Sequence, residues 1–172
     1  MVEGDVFREV EEEMRKERMK ALWDRFGTYI IGGALAIIVG VTGVKGWEYY
    51  KTTQANEAGA RFEGALVFEL DDKKNEARAV LEKLAADGPL GYRALASLRM
   101  AGDLAAEGKK PEAVAAYEKV AAIEGLNASL VSFATVRAAM LRVDEANWDG
   151  MNTRLSGLTG GQNSWRHSAR EL

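Results

Sequence analysis

The chain has no cysteine, a single histidine and only two prolines in 172 residues. Without cysteine there are no disulfides, thiolate metal sites or cysteine nucleophiles, and an oxidising compartment is permitted but not required. The one histidine, His167, lies in the polar stretch Ser164–Ser168, away from any carboxylate cluster, and reads as a surface residue. Few prolines and long runs of Ala, Leu and Glu leave little room for strands, so the fold class reads as all-α. Basic excess is missing too. The 23 Lys and Arg stand against 26 Asp and Glu, which gives no electrostatic footprint for nucleic acid. Nor is there a Gly-x-x-x-x-Gly-Lys phosphate loop or a nucleophile–base pair, so neither catalysis nor a metal or cofactor site is expected.

Charge is absent from nineteen consecutive residues, Phe26 to Val44, in a chain that is otherwise 28% charged. A bilayer core of ~30 Å takes roughly 17–25 apolar helical residues to cross, so 26–44 is predicted to be a single transmembrane helix. Trp23 and Trp47 bracket the run, with Tyr29, Tyr49 and Tyr50 beside them, as aromatic rings collect at the headgroup level. The exit Val44–Tyr50 offers no small-residue cleavage site, which predicts a retained anchor and not a cleaved signal. Arg15, Lys16, Arg18, Lys20 and Arg25 precede the run, while Lys45, Lys51 and Arg61 follow it. Basic flanks resist translocation, so residues 1–25 are expected in the cytoplasm and the long carboxy-terminal part outside.

Three segments of this amino-terminal region are candidates for contact. Gly32, Ala36 and Gly40 recur every four residues, with Gly43 near the end of the same stripe. Helices in lipid associate through close packing over small residues, so the stripe is expected to face a partner's transmembrane helix. In the tail 1–25, Val6, Phe7, Val10 and Met14 lie at helical spacing and the acidic residues between them take the other faces. That apolar stripe is expected to lie on membrane lipid or to dock on a partner. Residues 45–57 read as a helical linker.

The remaining 58–172 contains a self-match. Asn75–Ala86 aligns with Pro111–Ala122 at an offset of 36 residues, and Glu, Ala, Ala, Glu, Lys, Ala and Ala recur in place. A helical run precedes each copy, Ala58–Leu70 and Leu90–Ala106, and turns are marked by Asp71-Asp72, Asp87-Gly88-Pro89 and Gly108–Pro111. A third pair is drawn at Ser129–Val143 and Trp148–Leu158, with Gly150 at the position where Ala is expected. Two helices per unit with a period in the mid-thirties is a helical-hairpin solenoid. Leu90–Ala106 is apolar nearly all round and must be covered on more than one side. Beyond that cover, Leu95, Leu98, Val131 and Leu141, with Phe62 and Leu66, are expected to leave a groove for an apolar segment of a partner or client. Ser164–Leu172 reads as a helix just beginning, and because a solenoid end normally carries a polar cap the repeat domain is expected to continue past it.

The second unit resembles a tetratricopeptide repeat: Ala101 and Leu104 on its first helix, Gly108–Pro111 at its turn, and Ala113 and Tyr117 on its second helix. It departs from that pattern in its offset, in the third unit and in lacking the signature Trp. The amino-terminal Phe7–Val10, Glu12-Glu13, Arg15 and Leu22–Gly27 are similar to the alphaproteobacterial branch of the YfgM-like family. Those are tetratricopeptide-like, single-span inner-membrane proteins ancillary to the Sec translocon. The resemblance implies a periplasmic repeat domain that works beside the translocon with periplasmic chaperones. Two functions are weighed: a scaffold or adaptor assisting secretion or periplasmic folding, and a structural accessory subunit of a large respiratory or photosynthetic membrane complex. An enzyme is the least supported class.

Overall fold

The computed structural model describes the backbone of residues 3–172 and the side chains of 14–172 apart from 21. Among the described residues the chain is helical throughout, without strands. The elements are α1 (Glu3–Leu70), α2 (Lys74–Asp87), α3 (Leu90–Ala106), α4 (Lys110–Ala121), α5 (Ala128–Met140), α6 (Trp148–Leu155) and α7 (Arg166–Glu171). They fall into two compact units that meet within α1, one ending at Lys51 and the other running from Thr52 to Leu172. Each unit buries its apolar residues differently.

In the first unit the apolar side chains among the described residues are exposed. Ile30, Ile31, Leu35, Ile37, Ile38, Val39, Val41 and Val44 all face outward from α1, which contains the one helical stretch among the described residues long and apolar enough to cross a membrane. No helix break separates the charge-free run from the predicted linker at 45–57 or from Ala58–Leu70. The first helix of the first repeat is therefore the end of α1. With no Pro and no turn signal between 45 and 70, nothing in the sequence interrupts the backbone hydrogen-bond ladder.

The second unit is a stack of helical hairpins, and the offset of 36 recurs in its geometry. The α1–α2 turn closes with backbone bonds from Asp71 N to Val67 O, Asp72 N to Glu69 O and Lys73 N to Phe68 O, at 3.0, 3.1 and 2.8 Å. The α3–α4 turn repeats them from Glu107, Gly108 and Lys109 to Asp103, Ala105 and Leu104, at 2.9, 3.1 and 2.9 Å. Each turn needs one residue in the left-handed region, which aspartate tolerates and glycine adopts freely. Asp72 supplies it at φ 59° and Gly108 at φ 78°. Gly88, in the turn between the hairpins, is needed for a different reason: a Cβ there would stand 2.4 Å from the Leu84 carbonyl oxygen.

Buried positions match in the same register. Ala58, Ala65, Ala77, Leu81 and Leu84 of the first hairpin correspond to Ala94, Ala101, Ala113, Tyr117 and Val120 of the second, and all ten are buried. Alanine stands where two helix backbones approach closely, and the larger residues fill the gap between them. The two hairpins contribute to two cores. Ala58, Ala65, Leu81 and Leu84 pack with Ala96 of α3, whereas Ala94, Leu98 and Ala101 of α3 pack with Val114, Tyr117 and Val120 of α4 and Ala134 and Ala138 of α5. The all-round apolar character of α3 is thus used on two sides, as its sequence requires.

The third hairpin corrects the sequence reading. Its helices are shorter than predicted, and residues 141–147 form a longer connection than the three-residue turns before it. The buried small position belongs to Met151, with Leu155 in place of the ring, and Gly150 instead gives its N–H to the Asn147 side chain at 2.9 Å as part of a helix cap. α5 packs on α4 almost as closely as α4 packs on α3, whereas within the third pair the short α6 meets α5 only sparsely. The stretch after α6 turns back onto α5 and α6. Trp165 stacks obliquely on Phe133 with ring centroids 5.3 Å apart, Ala169 is buried with Val136 and Ala139, and Asn163 donates to the buried Ser132 hydroxyl at 3.1 Å.

Candidate functional site

Of the residues expected to contact a partner, the stripe in α1 has the barest surroundings. A Cβ added at Gly32, Gly40 or Gly43 would meet nothing within 4 Å, and Ala36 is exposed. The aromatic brackets stand out from the helix too: Trp23, Tyr29, Trp47, Tyr49 and Tyr50 are all exposed. Lys51 lies over the Trp47 ring at 5.4 Å from its centroid, and Arg25 over Phe26 at 5.6 Å. Such basic–aromatic pairs give each end of the run an apolar body and a charged tip, the combination favoured at a water–hydrocarbon boundary. Met14 of the tail is half exposed; the side chains of Val6, Phe7 and Val10 lie outside the described residues.

The six residues expected to form a groove in the repeat unit are not gathered into one. Leu98 is buried beside Ala101 and Tyr117, and Leu141 packs on that same cluster. Phe62 packs on the other cluster and lies 6.4 Å from the Tyr92 ring. These three are spent on internal packing. Leu66, Leu95 and Val131 remain half-buried and belong to neither cluster. Large apolar residues at helical spacing serve first to pack neighbouring hairpins, which here leaves fewer of them free for a groove.

Two cavities of the repeat unit differ in character. One, of about 490 Å³, is polar and lies among the end of α1, α2 and α3. Arg99 crosses it, donating from Nε to Glu69 at 3.0 Å and lying 3.5 Å from Asp103. The bond to Glu69 holds the Arg99 pKa above its ordinary value. Partial burial pushes the Asp103 carboxyl up, more strongly than the neighbouring Arg99 pulls it down, and Glu69 and Glu107 add to the rise. Glu69, Asp103 and Glu107 face Lys74, Arg78 and Arg99 around this cavity, so its charge is internally balanced.

The other cavity, of about 390 Å³, has an apolar floor. Arg93, Ser97, Met100 and Leu104 of α3 line it at helical spacing, with Ala85 of α2 on one side and Ala116, Lys119 and Val120 of α4 on the other. The sequence reading missed these residues. The signal was present in the spacing of Arg93, Ser97, Met100 and Leu104, which places them on one face of α3 opposite Leu95. Among the described residues no group of three or more His, Asp or Glu side chains is placed to hold a metal ion.

Paired antiparallel helices with a small-residue seam, repeating at a fixed offset and sharing cores between neighbours, define a helical repeat protein. The chain belongs to the tetratricopeptide repeat-like domain family, whose model matches residues 20–172. No curated protein and no solved structure matches it.

Proposed function

We propose that the protein is a membrane-anchored scaffold or adaptor, with residues 26–44 as its transmembrane helix, 1–25 as a cytoplasmic tail, 45–57 as a helical linker and 58–172 as a periplasmic repeat domain. The observation that carries this reading is a family match to an interaction-type repeat domain in a chain whose longest apolar run lies exposed on α1. Hairpin stacks of this kind present extended surfaces to other proteins and are scaffolds in general, not catalysts. The family resemblance of the tail and the basic flank of the run support a place in the bacterial inner membrane beside the Sec translocon, assisting secretion or periplasmic folding together with chaperones or unfolded clients.

Copurification from mild detergent tests the reading. Substoichiometric recovery of translocon subunits and a periplasmic chaperone is the expected result. A fixed one-to-one presence in a respiratory or photosynthetic core would replace it with a structural accessory subunit. Protease added to spheroplasts tests the orientation: the repeat domain should be digested and the tail spared, and loss of the tail alone would reverse it.

A further inference from the structure

The apolar cavity between α2 and α4 differs from the polar one in how its charges are used. Arg99, on the far side of α3, is held by Glu69 and Asp103. Among the described residues neither Arg93 nor Lys119 forms an ion pair, although both line the apolar cavity. Met100, Leu104 and Ile123 line the same cavity, and the Ser97 hydroxyl is taken up locally, donating to the Arg93 carbonyl at 2.9 Å. A volume of about 390 Å³ falls within the range of small-ligand sites, which are mostly apolar with a few charged groups that set orientation.

An apolar floor beside two unpaired cations is complementary to one kind of ligand, an aliphatic chain ending in a single anion. We propose that this cavity is a binding site for an aliphatic monocarboxylate of medium length. The alkyl chain lies on Met100, Leu104 and Ile123, and the carboxylate accepts hydrogen bonds from Arg93 and Lys119. The site lies at the seam of the two hairpins, on the face of α3 opposite Leu95, so its occupation would not compete with a partner bound on the Leu95 side. The proposal does not depend on which membrane complex the protein serves.

The test uses the full chain in phosphatidylcholine nanodiscs with a diazirine-bearing decanoate, reading only label on peptides from α3 and α4, since any amphiphile will label α1. Decanoate should compete for that label roughly ten-fold better than decanol, the scale of one hydrogen bond to a charged group. Arg93→Gln with Lys119→Gln should erase the difference between acid and alcohol, while Ser97→Phe, which fills the cavity, should remove the label; a thermal melt confirms that each variant is folded. Equal competition by decanol and decanoate, label confined to α1, or label unchanged in the double Gln variant would each overturn the proposal. So would displacement by a short acidic leucine-rich peptide but not by decanoate, which would make the cavity an anchor point for a protein segment.

Discussion

The charge-free run of α1 and the interior of the repeat unit use the same small residues in opposite surroundings. Ala65, Ala94, Ala101, Ala113 and Ala134 are fully buried between helices of the repeat unit. A Cβ added at Gly32, Gly40 or Gly43 would meet only open space. Both α3 and the run 26–44 are apolar nearly all round. For α3 the explanation is on view, because neighbouring hairpins cover it on two sides. For 26–44 nothing among the described residues of its own unit covers it, and a hydrocarbon medium is the cover we propose. Composition alone does not separate the two cases; what separates them is whether the chain provides neighbours at the matching register.

The comparison breaks most visibly at the largest buried side chain. Tyr117 fills the gap between α3, α4 and α5, with the Arg137 guanidinium 5.9 Å from its ring centroid. Tyr117→Ala should cost about 3–5 kcal/mol in urea unfolding of the repeat unit. Tyr50→Ala, on an exposed aromatic of α1, should leave that transition unchanged. A similar loss from both would mean that the α1 aromatics are part of the repeat core.

Small residues sharpen it next. Ala101→Leu or Ala113→Leu forces extra methyl groups into a seam with no space and should cost ~1–3 kcal/mol. Gly32→Leu with Gly40→Leu meets no neighbour and should not move the melting of the repeats. In the nanodisc-embedded chain the same double change is expected to abolish copurification with a membrane partner, while Ile38→Leu, off the stripe, leaves it intact. Retained copurification would reduce the run to a tether.

Much of this architecture was legible because repetition leaves a double record. The match of Asn75–Ala86 to Pro111–Ala122 gave the offset, and Asp72 and Gly108 then had to occupy equivalent turns. The bounds of α3 could be read directly from its apolar run and the flanking Asp87-Gly88-Pro89 and Gly108 signals. What could not be read was which apolar residues the stack consumes. Leu98 and Leu95 are equally greasy and, three positions apart, lie on the same side of the helix, so only the placement of α4 and α5 decides which is buried. The third hairpin begins within a residue of where the sequence puts it, but both of its helices end three residues short of their predicted ends. Asn147 caps α6 by accepting from the Gly150 N–H, and the buried residue there is Met151 rather than Gly150, which spacing alone does not tell apart.

The smallest expected effect concerns charge in the polar cavity. Burial raises the Asp103 carboxyl above the usual aspartate range, and the attraction of Arg99 at 3.5 Å does not fully offset it. An acid whose folded pKa is raised is disfavoured in its charged form. The cost is absent at pH below the unfolded value, where the group is protonated in both states, and is complete above the folded value. Asp103 therefore subtracts from stability at neutral pH and not at acid pH. Its side chain is still more than a third exposed, so screening keeps the effect within about 0.5 kcal/mol. Asp103→Asn removes the titration, and the difference in melting temperature between variant and wild type should be more positive at pH 7 than at pH 3. The opposite sign would show that pairing with Arg99 outweighs burial, and the cavity would then be held together by its ion pairs rather than merely balanced by them.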